Sequence, residues 1–153
     1  MTPLPILTLT LNPALDVATS APQVVAGPKL RCTAPRVDPG GGGINVARAV
    51  RRLGGEALAL VALGGATGAR LAEALRAEGV RYSAFDAPGE TRQSLAVTEE
   101  ASGAQYRFVL PGPVWAAADA ARALARLRAI TPEGALVVLS GSQPPGLPDR
   151  FAA

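Results

Sequence analysis

Residues 39–55 read PGGGGINVARAVRRLGG. Four consecutive glycines lead into an amphipathic stretch that closes on Gly54-Gly55. Apolar residues at 44, 46, 47, 50 and 53 recur at helical spacing, so the segment predicts a helix from Ile44 to Leu53, ended by the glycine pair. Glycine loses more conformational freedom on ordering than any other residue, so a run of four signals that something comes very close to the backbone.

The flanking sequence alternates strands with helices. Ile6 to Leu11 is an apolar, Thr-containing run between Pro5 and Asn12-Pro13 and reads as a buried first strand. Residues 14–38 are extended and broken by Pro22, Pro28 and Pro35, with short strands expected near 15–19 and 29–36. Downstream, 57–63 is a second buried strand, 66–78 a helix stopped by Gly79, and 80–85 a third strand. Residues 94–99 and 106–110 alternate around the turn sequence EASGAQ and predict a hairpin. A helix over 116–129 and a final buried strand over 136–140 follow. This order implies one α/β domain with a parallel sheet covered on both faces. The insertions near 15–36 and 94–110 are expected to form a second, small sheet. The loop SGSQPPGLP and Phe151-Ala152-Ala153 follow the last strand where a βαβ pattern wants a helix, so the sequence reads as interrupted.

Composition narrows the chemistry. Of 153 residues, 48% are hydrophobic, enough for a sizeable core. There is one cysteine, Cys32, and no histidine. That excludes an internal disulfide, a Cys/His zinc site and His-based triads. No apolar run reaches the roughly 20 residues of a membrane helix. The start MTPLPILTLTL lacks a basic n-region and a small-residue cleavage site, so a cytoplasmic chain without membrane partners is expected. The net charge is +3, carried by fourteen arginines and one lysine. Arg48, Arg51 and Arg52 form a basic stripe that is either a solvated helix face or a footprint for phosphate or nucleic acid. Aromatic residues are few and not interleaved with basic ones, which argues against nucleic acid.

The glycine run fits no P-loop, because no Gly-Lys pair occurs, and the G-x-G-x-x-G pattern fails at Asn45 and Val46. Two uses remain: a backbone cradle for a polar or anionic ligand at a helix N-terminus, with Asn45 at its edge, or a tight turn packed under another element. Asp16 follows the first strand, where ligands collect in α/β sheets, and serves either sugar hydroxyls or a turn cap. Arg92, in TRQ, either grips a phosphate or lies on the surface. Arg107, in QYRF, is expected to be a cross-strand partner. Ser142, in SGSQPPG, follows the last strand and is placed to meet a ligand. Lys29 is the only lysine.

Taken together, TLNPALD, PGGGGINVARAVRRLGG, LGGATG, TRQ and SGSQPPG resemble the N-terminal landmarks of the ribokinase-like (PfkB) carbohydrate kinases, in family order. KLRCTAP and EASGAQYRF resemble, within that family, the minor 6-phosphofructokinase isozyme, while the 1-phosphofructokinases and tagatose-6-phosphate kinases share TLNPALD and the glycine run. The resemblance implies a three-layer α/β sandwich with a small β-sheet lid made from insertions at about 14–38 and 92–110. It implies phosphoryl transfer from ATP, with Mg2+, to a sugar phosphate such as fructose 6-phosphate. By motif match, Asp16 would hold sugar hydroxyls and Gly41, Gly42, Gly43 and Asn45 would line the sugar. Arg92 and Ser142 would bind its phosphate. Lys29 lies on a lid segment that in this family serves a neighbouring subunit, and the family dimerises through its lids. The family's catalytic aspartate lies in a G-A-G-D run, and none occurs among residues 1–153. The expectation is therefore the N-terminal half of a kinase, inactive alone, or else a non-catalytic sugar-phosphate-binding module.

Overall fold

The computed structural model describes residues 5–148 and 151. Its elements follow the predicted order: β1 (Ile6–Thr10), β2 (Ala14–Ala21), β3 (Arg36–Gly40), α1 (Gly42–Arg52), β4 (Ala57–Leu63), α2 (Gly65–Ala77), β5 (Tyr82–Asp86), β6 (Arg92–Glu99), β7 (Gln105–Val109), α3 (Ala117–Ile130) and β8 (Leu136–Leu139). The strands form two four-stranded sheets, ordered β5-β4-β1-β8 and β3-β2-β6-β7. All pairings in the first are parallel.

Alternation along β1 and β4 divides the core. Ala59 and Val61 face α1 and α2, where Ile44, Ala47, Leu71 and Leu75 bury their side chains. Leu7, Leu9, Leu60 and Ala62 face the opposite way, toward α3 and Trp115. Covering helices on both faces make a three-layer α/β sandwich. Each fully buried leucine or isoleucine here contributes about 1.5–3 kcal/mol from removing apolar surface from water. Leu15 of β2 joins the first cluster, and so fastens the small sheet to the α1–α2 layer. Trp115 is buried edge-on to Phe85, with ring centroids 6.2 Å apart, and its backbone N–H donates to Pro145 O. Among the described residues no helix is long and apolar enough to cross a membrane.

Two expectations are corrected. The second strand of the first insertion is Arg36–Gly40, not 29–36, and it runs directly into the glycine run. Pro28 and Pro35 offer no N–H to a ladder, whereas Val37 and Pro39 have apolar surface to bury. Pro39 is tolerated because β3 is an edge strand. The last strand, expected to be buried, is also an edge: β8 pairs only with β1 among the described residues, leaving Leu136 and Leu139 54% and 42% exposed. An apolar run alone does not distinguish a central strand from an edge strand.

The start of α1 is wedged against the ends of the central strands. Gly41, its N-cap, has φ +130°, a conformation that L side chains rarely adopt. A Cβ at residue 43 would lie 2.5 Å from Thr10 Oγ1 and 2.7 Å from Leu9 O. Gly43→Ala is therefore expected to destabilise the fold by roughly 1–3 kcal/mol through overpacking, read as a lower urea midpoint at unchanged slope.

Candidate functional site

The small sheet has two chemically different faces. Its register aligns Asp38, Asp16 and Ser94 across β3, β2 and β6. Ala14 pairs with Arg92 on one side of that row, and Arg36, Ala18, Ala96 and Arg107 form the row on the other. Residues two apart share a face, so the polar residues of these three rows gather on one side and Leu15 and Val37 on the core side. With Asn45, Arg48 and Arg52 of α1, the polar face lines a cleft of about 640 Å³. Five arginines and two aspartates line it, an excess of positive charge that suits an anionic ligand.

Asp16 is half-buried near the centre of this face. Burial raises its carboxyl pKa; a hydrogen bond with Ser94 and the Arg92 charge act in the opposite direction, and neighbouring Asp38 adds to the rise. Asp38 pairs with Arg36 at 3.1 Å and sits 3.9 Å from Arg48. Arg48 is not the solvated residue that a basic stripe suggests. Its guanidinium makes a two-pronged pair with Glu78, at 2.6 and 2.8 Å, and donates to Asn45 Oδ1 at 3.4 Å. Arg107 pairs across the strands with Ala96, as expected, and its guanidinium donates to Gln105 Oε1 on its own strand.

Consecutive residues of ETRQ divide the work of placing Arg92. The Glu90 carboxylate accepts from Thr67 N–H at the start of α2, which has no side-chain cap of its own, and this bond holds the Glu90 pKa below the usual range. Thr91 is buried, accepting from Gly64 N–H and donating its own N–H to Gly64 O. Arg92 then turns to the cleft. Its Nε donates to Asn12 O at 3.3 Å and its Nη1 to Leu110 O at 3.4 Å.

Ser142 lies beyond β8 in a separate hollow of about 300 Å³ lined by Leu11, Ser140, Gly141 and Gln143. It accepts a hydrogen bond from Asn12 Nδ2 at 3.2 Å. Asn45 is exposed in the first turn of α1 and lines the main cleft. The glycines line neither hollow; they pack α1 against β1 and β8. Gly43 N–H donates to Ser140 O, and Ile44 N–H to Thr10 Oγ1. The N–H groups of Gly41 and Gly42 have no protein acceptor among the described residues. Lys29 is exposed in the segment between β2 and β3 and is not brought to the cleft of its own chain. Sequence reading passed over Asn12, Arg36, Asp38 and Ser94. The period of two in each strand carried a signal for the last three; nothing in the sequence marked Asn12 beyond its place in TLNPALD. Among the described residues no three His, Cys, Asp or Glu side chains converge.

The match of residues 10–153 to the pfkB family of carbohydrate kinases shows that the chain belongs to that family. It is 51% identical over 142 residues to the ATP-dependent 6-phosphofructokinase isozyme 2 of Escherichia coli, covering 93% of this chain and 46% of the relative. To the corresponding isozyme of Mycobacterium tuberculosis it is 49% identical over 142 residues, covering 93% of this chain and 42% of the relative. Among solved structures, the phosphofructokinase-2 of Escherichia coli in complex with fructose-6-phosphate superposes with a TM-score of 0.91 at 47% identity, over 98% of this chain and 49% of that one. The chain thus spans about half the length of the curated relatives it matches.

A half-buried carboxylate with a raised pKa makes the folded form less stable as pH rises through and above the ordinary aspartate range, because ionising it inside the cleft is unfavourable. Asp16→Asn is accordingly expected to raise the Tm at pH 7, with the gain vanishing below the ordinary value of 3.8, where both side chains are neutral; thermal unfolding across pH 3–8 checks this.

Proposed function

We propose that this chain forms the sugar-phosphate-binding part of a phosphofructokinase-type kinase that uses ATP and Mg2+ to phosphorylate fructose 6-phosphate or a related ketohexose phosphate. The observation that carries the reading is the placement of Asp16 and Arg92 on one face of the small sheet, in neighbouring rows. A carboxylate accepts hydrogen bonds from sugar hydroxyls, and a guanidinium fixed by two carbonyls holds remaining N–H groups for a phosphate. Asn45 and the backbone of Gly41, Gly42 and Gly43 border the sugar, and Ser142 completes the phosphate site. The small sheet acts as a lid over the ligand. Lys29 serves the cleft of a second copy, in a homodimer joined through the lids, and the exposed Leu95, Tyr106 and Phe108, which the register puts on the same face of the sheet as Leu15, support such a contact. Neither nucleic acid nor membrane is a partner in this reading, and the protein works in the cytoplasm.

ATP enters through the ATP-dependent relatives and magnesium through the family resemblance alone, and no residue of this chain is assigned to either. The alternative reading is a sugar-phosphate-binding or interaction module without chemistry of its own. Both readings require sugar-phosphate binding. Calorimetry with fructose 6-phosphate and with fructose is expected to show binding that depends on the phosphate. Arg92→Ala is expected to weaken the former about 10- to 100-fold, the worth of a hydrogen bond to a charged group, and to leave the latter unchanged. Equal affinity of variant and parent for fructose 6-phosphate would remove Arg92 from the site. A coupled ADP-release assay with Mg-ATP is expected to show no turnover by residues 1–153; turnover would place a catalytic base among their carboxylates.

A further inference from the structure

We propose that Asn12 is a positioning residue that sets the Ser142 hydroxyl as a hydrogen-bond donor toward the ligand's phosphate. The inference rests on the assignment of Arg92 and Ser142 to that phosphate. Asn12 is buried at the end of β1 and touches both residues: its carbonyl accepts from Arg92 Nε at 3.3 Å, and its Nδ2 lies 3.2 Å from Ser142 Oγ. The same Nδ2 lies 3.3 Å from Gln143 O. A backbone carbonyl only accepts, so the amide atom facing it is the nitrogen, and this fixes the amide's orientation. Ser142 Oγ is then an acceptor toward Asn12, and its own proton must point elsewhere. The available direction is outward, where an anion needs a donor. The opposite end of the amide, Oδ1, is buried without a partner against Gly112, where a Cβ would overlap it. The orientation is thus kept at the expense of an unsatisfied acceptor, as expected where the donor end has a task.

Reversing the polarity of the contact tests this. In Asn12→Asp the carboxylate accepts the Ser142 proton and turns the hydroxyl's lone pairs toward the ligand. The added negative charge also repels phosphate, but that repulsion persists without the hydroxyl. Titration of the full chain with fructose 6-phosphate is therefore made on the parent, N12D, S142A and N12D/S142A, with thermal unfolding of each. N12D is expected to weaken binding tenfold or more in the parent background and several-fold less in the S142A background. Equal losses in both backgrounds, or none in either, overturn the proposal. If N12D does not fold, Asn12→Ala replaces it, with the same requirement that its loss disappear once Ser142 is gone. An Arg92→Ala variant that binds like the parent, or a parent that does not bind, overturns the phosphate assignment itself; an effect of R92A without coupling between 12 and 142 overturns only the role of Asn12.

Discussion

Everything in this chain is arranged around the close seating of α1 on the carboxyl ends of β1 and β8. Two hydrogen bonds make the seat, from Gly43 N–H to Ser140 O and from Ile44 N–H to Thr10 Oγ1. They satisfy N–H groups that a helix start leaves without partners, and they do so with the strand ends themselves. The contact is possible only without side chains at 42 and 43. Because β3 runs straight into this junction, the same seat fixes the edge of the small sheet. The cleft is therefore held by the core rather than hung from it.

The small sheet works as a partition. Its inner side contributes Leu15 to the apolar cluster under α1 and α2; its other side presents Asp16, Asp38, Arg92 and Arg107. A strand's period of two makes both possible from one segment, since Leu15 and Asp16 are neighbours in sequence and lie on opposite faces. Arg48 extends the charged side to the far end of α2 through Glu78, so the cleft wall is braced by an element that does not line it.

Much of this was legible in the sequence. Helix periods, glycine stops and apolar runs place most of the elements, and the order of strands and helices implies the layers. The strand assigned to 29–36 was misplaced because prolines mark where a chain is extended without saying whether it pairs. β8 is exposed among the described residues because it pairs with β1 alone there. At the site, Asp16, Asn45 and Arg92 stand out because motif and strand-end position coincide there, whereas Asn12 is significant only through partners about 80 and 130 residues away. The glycines show the reverse: conspicuous in sequence, they serve the junction and line neither hollow.

The parallel pairing of β2 with β6 has a kinetic meaning. Ala14 meets Arg92, about 80 residues later in the chain, and the whole of α1, β4, α2 and β5 lies between them. Closing so long a loop carries an entropic cost that local contacts cannot meet in advance. The β2–β6 pairing, and the binding face built on it, accordingly cannot form before residues 14–21 and 92–99 are both made and brought together. A ligand held there would report the completion of the entire fold, and nascent or partly folded chains would be blind to it.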